Sequence, residues 1–309
     1  MANFNNRVFG CAVVKAINSN YNADFSGQPR TLPTGVVYAT DKAFKYAVKY
    51  YISSTASDEK IYYKKTFNDN LNPITLDDRY MSLFKDFPKD KKTIKQIVAK
   101  NLLSCIDIRL FGATFAGKTN LSIHGTVQVC HGVNIWKDNY IFTEQISSPF
   151  STKSDDAEAE KGNTTLGRQS KLEEGHYMHH FSINPANINS ITIKDIQVLS
   201  CNDVNVLKEA MKRGVTYYDS ASKAGCENEM LVWVQLKEGS KIVLPNFTTL
   251  IKLLPEKTQD KCVFDFMALK SLLESELIKN DVESVTVSYN SNSCEIINSS
   301  TNWIIETIL

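Results

Sequence analysis

No apolar run in this chain approaches the ~20 residues that a membrane-spanning helix needs. The opening MANFNNRVFGCAVV also lacks the charged flank, long apolar stretch and cleavage site of a secretory signal. Together these absences argue against membrane insertion and export and lead to the expectation of a cytoplasmic protein. There is no C-x-x-C pair either: Cys11, Cys105, Cys130, Cys201, Cys226, Cys262 and Cys294 form an odd set at wide intervals. That spacing argues against a disulfide framework and for reduced, mostly buried thiols. No internal repeat is present, which sets repeat architectures aside. Net charge is nearly absent too, at +1. The small sum hides a split, because residues 1–120 hold 18 Lys+Arg against 10 Asp+Glu, leaving 17 against 24 for the rest. A basic first part suggests a polyanionic partner, although lysine-rich stretches such as Lys85 to Lys100 also occur as solvated helix faces.

What is present is a 309-residue chain of ordinary globular composition, with 42% hydrophobic residues and room for one large domain with insertions or two modest ones. Its most conspicuous string is GATFAGKT, Gly112 to Thr119, which satisfies the G-x-x-x-x-G-K-[ST] pattern of a phosphate loop. Such a loop works by following a strand and opening a helix, so that free N–H groups point at phosphate. Here the flanks are reversed. Ile94, Ile97, Val98, Leu102, Cys105, Ile106 and Leu110 recur at helical steps up to the motif, and Leu121, Ile123, Val127 and Val129 alternate with polar residues after it. No later apolar run ending in Asp supplies a second magnesium-binding acid. A phosphate-loop hydrolase remains an alternative on the letters alone.

Along the chain, Val8, Phe9, Cys11, Val13 and Val14 signal a strand, followed by a polar loop from Asn18 to Arg30. Tyr38 to Tyr51 reads as a helix with Thr40 or Asp41 at its start. Phe44, Ala47, Val48 and Tyr51 fall on one stripe, and Lys42, Lys45 and Lys49 on another. Residues 52–91 are polar and aperiodic and read as an insertion. Strands are expected at about 121–136 and 139–146, then a small, polar, acidic excursion from Ser147 to Gly167, too long for an ordinary connection. Further on the pattern predicts a strand at Tyr177 to Ile183, a helix at Val204 to Arg213, a strand at Met230 to Leu236 and a helix at Phe264 to Lys279. Short strands at Val285 to Tyr289 and Glu295 to Ile297 complete it. The loose mixture favours an α+β fold over a doubly wound parallel sheet.

Four blocks in this order resemble the backbone subunit of type I CRISPR effector complexes, within the RAMP superfamily and nearest the type I-B branch. The first is Asn18, Asn20 and Asp24, then Pro29 and Arg30, then Thr40, Asp41, Lys45 and Lys49. The second is IDIRLFGATFAG from Ile106, followed by Gly125, Val127 and Gln128. TLGR, Thr165 to Arg168, and GHYMHHFSIN, Gly175 to Asn184, are the third and fourth. Three positions depart from the family pattern: Ala23 stands for Gly, Thr126 for Pro and His179 for Arg. The resemblance implies a single discontinuous domain over 1–309, a ferredoxin-like, RNA-recognition-like palm. It also implies a finger-type insertion at about 52–91 and a thumb hairpin at about 144–172. Copies would stack head to tail along one CRISPR RNA, beside other Cascade subunits, and leave the guide free to pair with a target DNA strand.

On this view the subunit is non-catalytic and needs no cofactor, and its RNA-binding residues are Arg30, Thr40, Lys42, Lys45, Lys49, Arg109, Arg168 and Lys223. Spacing alone makes the three lysines an exposed helix face, and the resemblance turns that face toward phosphate. Arg109 has an equal alternative, tying a helix end to the acidic side of the core. His176, His179 and His180 lie on an extended segment, where neighbouring side chains point to opposite faces, so they read as structural and no metal site is expected. Asp24 opens another alternative, because related subunits of type III complexes cleave target RNA with an acid in a comparable loop and a metal ion.

Overall fold

The computed structural model describes residues 2–150, 166–189 and 191–308. Its secondary structure runs β1 (Val8–Ser19), β2 (Tyr38–Ala39), α1 (Asp41–Thr55), α2 (Leu76–Phe84), α3 (Ile94–Leu103) and α4 (Ile106–Phe111). The middle of the chain is β3 (Gly112–Ala116), β4 (Asn120–His124), β5 (Val127–Val129), β6 (Gly132–Asn134), β7 (Ile141–Ser147), β8 (Leu166–Ile183), α5 (Ala186–Asn189) and α6 (Cys201–Tyr217). The last part is β9 (Cys226–Leu236), β10 (Lys252–Leu253), β11 (Cys262–Asp265), α7 (Met267–Leu273), β12 (Val282–Tyr289), β13 (Cys294–Ile297) and β14 (Ile304–Thr307). The architecture is mixed α+β.

The central sheet has the order β14-β12-β9-β1-β8-β6-β2, with β5 and β7 also pairing β8. β1 is covered on both faces, which is why its sequence is apolar almost throughout rather than alternating. Val8, Ala12, Val14 and Ala16 face α1 and α6, packing with Phe44, Val48, Leu207 and Met211. Phe9, Cys11 and Val13 face the other way, onto Phe247, Phe264 and Leu269 beneath the small sheet β10-β11-β13. The period-2 alternation thus divides one strand between two cores. β8 pairs β1 from Val8 opposite Ile183 to Ser19 opposite Leu172, then runs beyond it to pair β7, with Ile141 opposite Leu172 and Ser147 opposite Leu166.

A third cluster, of Tyr62, Tyr80, Val98, Leu102, Leu103, Ile108, Phe115 and Ile123, holds α2, α3, α4 and the β3-β4 hairpin together. Part of the stretch read as aperiodic is therefore the helix α2, closed at its start by a reciprocal capping box between Thr75 and Asp78. Two further boundaries move. The expected helix to Gly112 is two helices, broken at Ser104 and Cys105. The expected helix from Phe264 begins only at Met267, because Cys262–Asp265 is a strand parallel to β13. The excursion Ser147 to Gly167 lies outside the described residues over 151–165. All seven cysteines are free, five of them buried. Among the described residues no helix is long and apolar enough to cross a membrane.

Candidate nucleic-acid interface

The polar loop after β1 is tied at both ends. Asn20 is buried and donates from its amide to the carbonyls of Gly27 and Ser170, and Asn22 accepts from both the backbone N–H and the hydroxyl of Thr40. Between them Asp24 closes a turn on itself. Its Oδ1 accepts from the Ser26 hydroxyl and from the backbone N–H groups of Ser26 and Gln28. Those bonds, the Ser26 hydroxyl first, hold its carboxyl below the usual range. The turn pushes Phe25 fully into solvent, with the Arg30 guanidinium over its ring at 6.0 Å. Phe25 belongs to no motif or period in the sequence. Its one signal there is a lone aromatic in a run of Asn, Asp, Ser and Gly.

Two other segments meet this loop. The turn at residues 220–225 accepts from the Asn20 backbone N–H at Ser222 and from the Gln169 amide at Ala221. Lys223 lies over the Tyr21 ring at 5.3 Å and donates to the Tyr21 carbonyl. Its ammonium therefore braces the loop, and burial lowers its pKa. Arg168 is exposed on β8, where β7 and β8 leave the sheet as a hairpin. Loop, turn and hairpin base thus converge at one end of the central sheet.

The lysine row is less uniform than its spacing predicts. Thr40 is the N-cap of α1, its hydroxyl accepting from Ala43, so both its polar functions are taken. Lys42 is exposed, with its side chain 83% accessible and a loose 3.5 Å contact to Asp41. Lys45 is mostly covered and pairs with Asp41 at 3.0 Å. Lys49 donates to the Tyr63 carbonyl at 3.0 Å, and burial lowers its pKa. The physical reason is crowding by the segment around Tyr63, which covers the C-terminal part of that face. Only Lys42 of the three presents an ammonium to solvent.

Arg109 requires a correction, because it faces inward. Its guanidinium forks onto Asp203 at 3.0 and 2.7 Å, and also donates to the Leu103 carbonyl and to Gln197, both at 2.9 Å. Glu59 lies 3.4 Å away. A guanidinium so occupied is a brace between α4 and the start of α6, not a phosphate contact. Asp107 plays a matching role, its two oxygens accepting from Tyr62 and Tyr63 at 2.8 Å each. Thr126 donates twice to the Arg109 carbonyl, from its N–H at 3.2 Å and its hydroxyl at 2.9 Å.

GATFAGKT is a β-hairpin, not the turn between a strand and a helix. Gly112 has φ of 77°, and a Cβ there would lie 2.3 Å from the Ile123 carbonyl oxygen and 2.4 Å from the Gly125 nitrogen. Its glycine answers a close backbone crossing. The Lys118 N–H, which a phosphate loop would offer to its ligand, donates to the Asp77 carboxylate at 3.1 Å. A carboxylate in that place repels phosphate. The Lys118 ammonium sits over Phe87, 4.9 Å from the ring centre.

The three histidines of β8 make contacts of differing kinds. His179 is buried, stacked on Phe44 at 4.9 Å, with Nδ1 3.0 Å from the Cys130 carbonyl and Nε2 3.3 Å from the Tyr21 hydroxyl. Burial pulls its pKa down to about 4. His180 Nδ1 accepts from the Phe247 N–H. His176 is buried on the opposite face of β8, where Nδ1 lies 2.6 Å from Glu229. Burial disfavours its charged form, and the Glu229 charge together with the hydrogen bonds to Cys262, Glu174 and Glu229 outweighs that, raising its pKa well above the ordinary value.

Two comparisons bear on this arrangement. A solved chain titled "CRISPR RNA-guided surveillance complex, pre-nicking" aligns over 95% of this chain and 96% of its own at 11% identity, with a TM-score of 0.53. Another, titled "CRISPR RNA-guided surveillance complex", aligns over 94% and 95% at 13% identity, with a TM-score of 0.50. At such identities the likeness is one of fold. No curated protein matches the sequence. The family model described as CRISPR-associated protein Cas7 matches residues 6–267. With most of its length inside that match, the chain belongs to the CRISPR-associated protein Cas7 family.

Proposed function

We propose that this chain is the backbone subunit of a type I CRISPR effector complex, of the I-B branch. It polymerises head to tail along CRISPR RNA and, beside other Cascade subunits, holds the guide for pairing with a target DNA strand. The role is structural rather than enzymatic. The family match over residues 6–267 supports this reading. The single observation that carries it is the convergence, at one end of the central sheet, of the Phe25–Arg30 loop, the start of α1, the 220–225 turn and the base of the β7-β8 hairpin.

In this reading the central sheet with α1 and α6 is the ferredoxin-like palm. The cluster around Tyr62 and Tyr80 belongs to the finger-type insertion, and β7-β8 is the base of the thumb at about 144–172. Lys42, Arg30 and Arg168 contact phosphate, Lys223 and Thr40 shape the loop that presents them, and Phe25 stacks on a base. Asp24, bonded into its own turn, is a loop-shaping residue here and not a ribonuclease acid.

Titrating the purified protein with a ~40-nucleotide single-stranded RNA over a range of salt tests the proposal. The expected result is sequence-blind coating at a fixed few nucleotides per chain, with affinity falling linearly in log salt. Absence of binding at any salt overturns it.

A further inference from the structure

Folding completes the histidine segment with a cysteine that sequence distance conceals. Glu174 and His176, two apart on β8, point to the same face. There they meet Cys262, the first residue of β11 in the small sheet, 86 positions from His176. Nε2 of His176 lies 3.3 Å from Glu174 Oε1 and 3.5 Å from Cys262 Sγ. Among the described residues this is the one group of three or more His, Cys, Asp or Glu whose ligand atoms all lie within 4.8 Å of one another.

Those separations fit coordination better than hydrogen bonding. With Zn–N of ~2.0–2.1 Å, Zn–O of ~2.0–2.2 Å and Zn–S of ~2.3 Å, tetrahedral geometry sets N···O edges near ~3.4 Å and N···S edges near ~3.6 Å. A charge-assisted N–H···O bond would instead close to about 2.7–2.9 Å. The other ring nitrogen is held in the way a metal-binding histidine requires. Nδ1 lies 2.6 Å from Glu229 Oε2, a carboxylate that fixes the ring and turns Nε2 toward Glu174 and Cys262. Glu229 is aimed there by a β-bulge, because Val13 pairs with Met230 and Val14 with Asn228, leaving Glu229 as the extra residue. Its second oxygen, Oε1, is buried without a hydrogen-bond partner.

Access is available from one side. A cleft of about 420 Å³, lined by Ile17, Trp136, Tyr140, Glu174 and Lys257 among others, opens on the Glu174 carboxylate. The Lys257 ammonium lies 2.6 Å from that carboxylate, a cation already drawn to the place.

We propose that Glu174, His176 and Cys262 form a binding site for a divalent transition metal, zinc foremost, that clips β8 of the central sheet to β11 of the small one. On binding, the Cys262 thiol and Nε2 of the His176 imidazolium each give a proton to solvent, His176 keeps its proton on Nδ1 toward Glu229, and Lys257 withdraws. Solvent fills the fourth position from the cleft. The site lies on the face of β8 away from α1, and its loading is read without RNA.

The test uses the full chain, stripped with a chelator and loaded with cobalt(II) or zinc. One metal per chain is expected, with a thiolate-to-cobalt charge-transfer band in the near ultraviolet. Cys262→Ala and His176→Ala abolish the band, whereas Cys130→Ala and Cys201→Ala, which change the two exposed thiols, leave it. Lys257→Ala tightens binding several-fold by removing the competing ammonium. Should His176→Ala fail to fold, Cys262→Ser and Glu174→Gln, checked by circular dichroism, carry the same comparison. Failure to retain cobalt or zinc above trace, or a band that survives Cys262→Ala, overturns the proposal.

Discussion

An arginine and a lysine of similar standing in the sequence have different physical fates. Arg109 is buried against Asp203, and truncation would leave that carboxylate without its partner. Arg109→Ala is expected to lower unfolding stability by about 3–5 kcal/mol in urea titrations, the usual cost of breaking a buried pair. Lys42 stands in solvent, so Lys42→Ala should leave the urea midpoint unchanged and reduce the RNA salt slope by about 0.7, one phosphate contact on a single strand. An unchanged slope would remove Lys42 from the interface. Phe25 carries no charge and separates the two effects. Phe25→Ala should weaken RNA binding by about 1–3 kcal/mol with the slope intact, since base stacking releases no counterions. His179 makes a pH prediction. It is neutral when folded down to about 4, whereas an unfolded histidine takes up its proton near 6.5. The unfolded state therefore gains protons first, and stability falls as pH drops from about 6.5 to 4, by roughly 3 kcal/mol. His179→Phe, which keeps a ring on Phe44, should flatten that part of the urea-midpoint profile relative to the parent. An identical profile would place the linkage elsewhere.

Among the elements, the β3-β4 hairpin is the plainest case of letters misleading where periodicity does not. The alternation after Gly117 reads as strand, and strand it is, so the phosphate-loop pattern fails on its flanks before any side chain is placed. Gly112→Ala should cost about 1–3 kcal/mol or more, because the added methyl meets the Ile123 carbonyl at a positive φ. Lys118→Ala, by contrast, should change neither stability nor nucleotide binding measurably. α1 is equally legible, since Thr40 supplies the cap and Phe44, Ala47 and Val48 the buried stripe. α2 is not, because its only buried residue is Tyr80 and one anchor makes no period. β11 and α7 run together in the sequence for a related reason. Val263, Phe264 and Phe266 are buried in the strand and the turn after it, Leu269 and Leu273 in the helix, and a continuous apolar run does not reveal where one period gives way to the other. β14 offers no alternation to read, because the adjacent Ile304 and Ile305 both lie exposed at a sheet edge.

For the whole molecule, the sequence conveys the class of fold and the existence of a basic first part, and the pairing of distant residues decides which cations remain available. Asp203 is 94 positions from Arg109, and Tyr63 lies outside the helix that carries Lys49. No local pattern encodes those partners, so a helix face of three lysines shrinks to Lys42, joined by Arg30 and Arg168 through contacts between loop, turn and hairpin. The surplus of 18 basic over 10 acidic residues in 1–120 is therefore partly consumed inside the fold. Overall affinity for RNA should depend more on how many chains share one strand than on any one chain's charge.

One further consequence follows from the length of β8. Its 18 residues extend about 60 Å at ~3.3 Å per residue, and one continuous backbone belongs both to the core beside β1 and to the hairpin with β7. A pull on the hairpin along its axis would load the β1-β8 ladder in shear, with many perpendicular hydrogen bonds sharing the force at once instead of opening one after another. The molecule is thus built as a tension member, anchored over the length of its central strand.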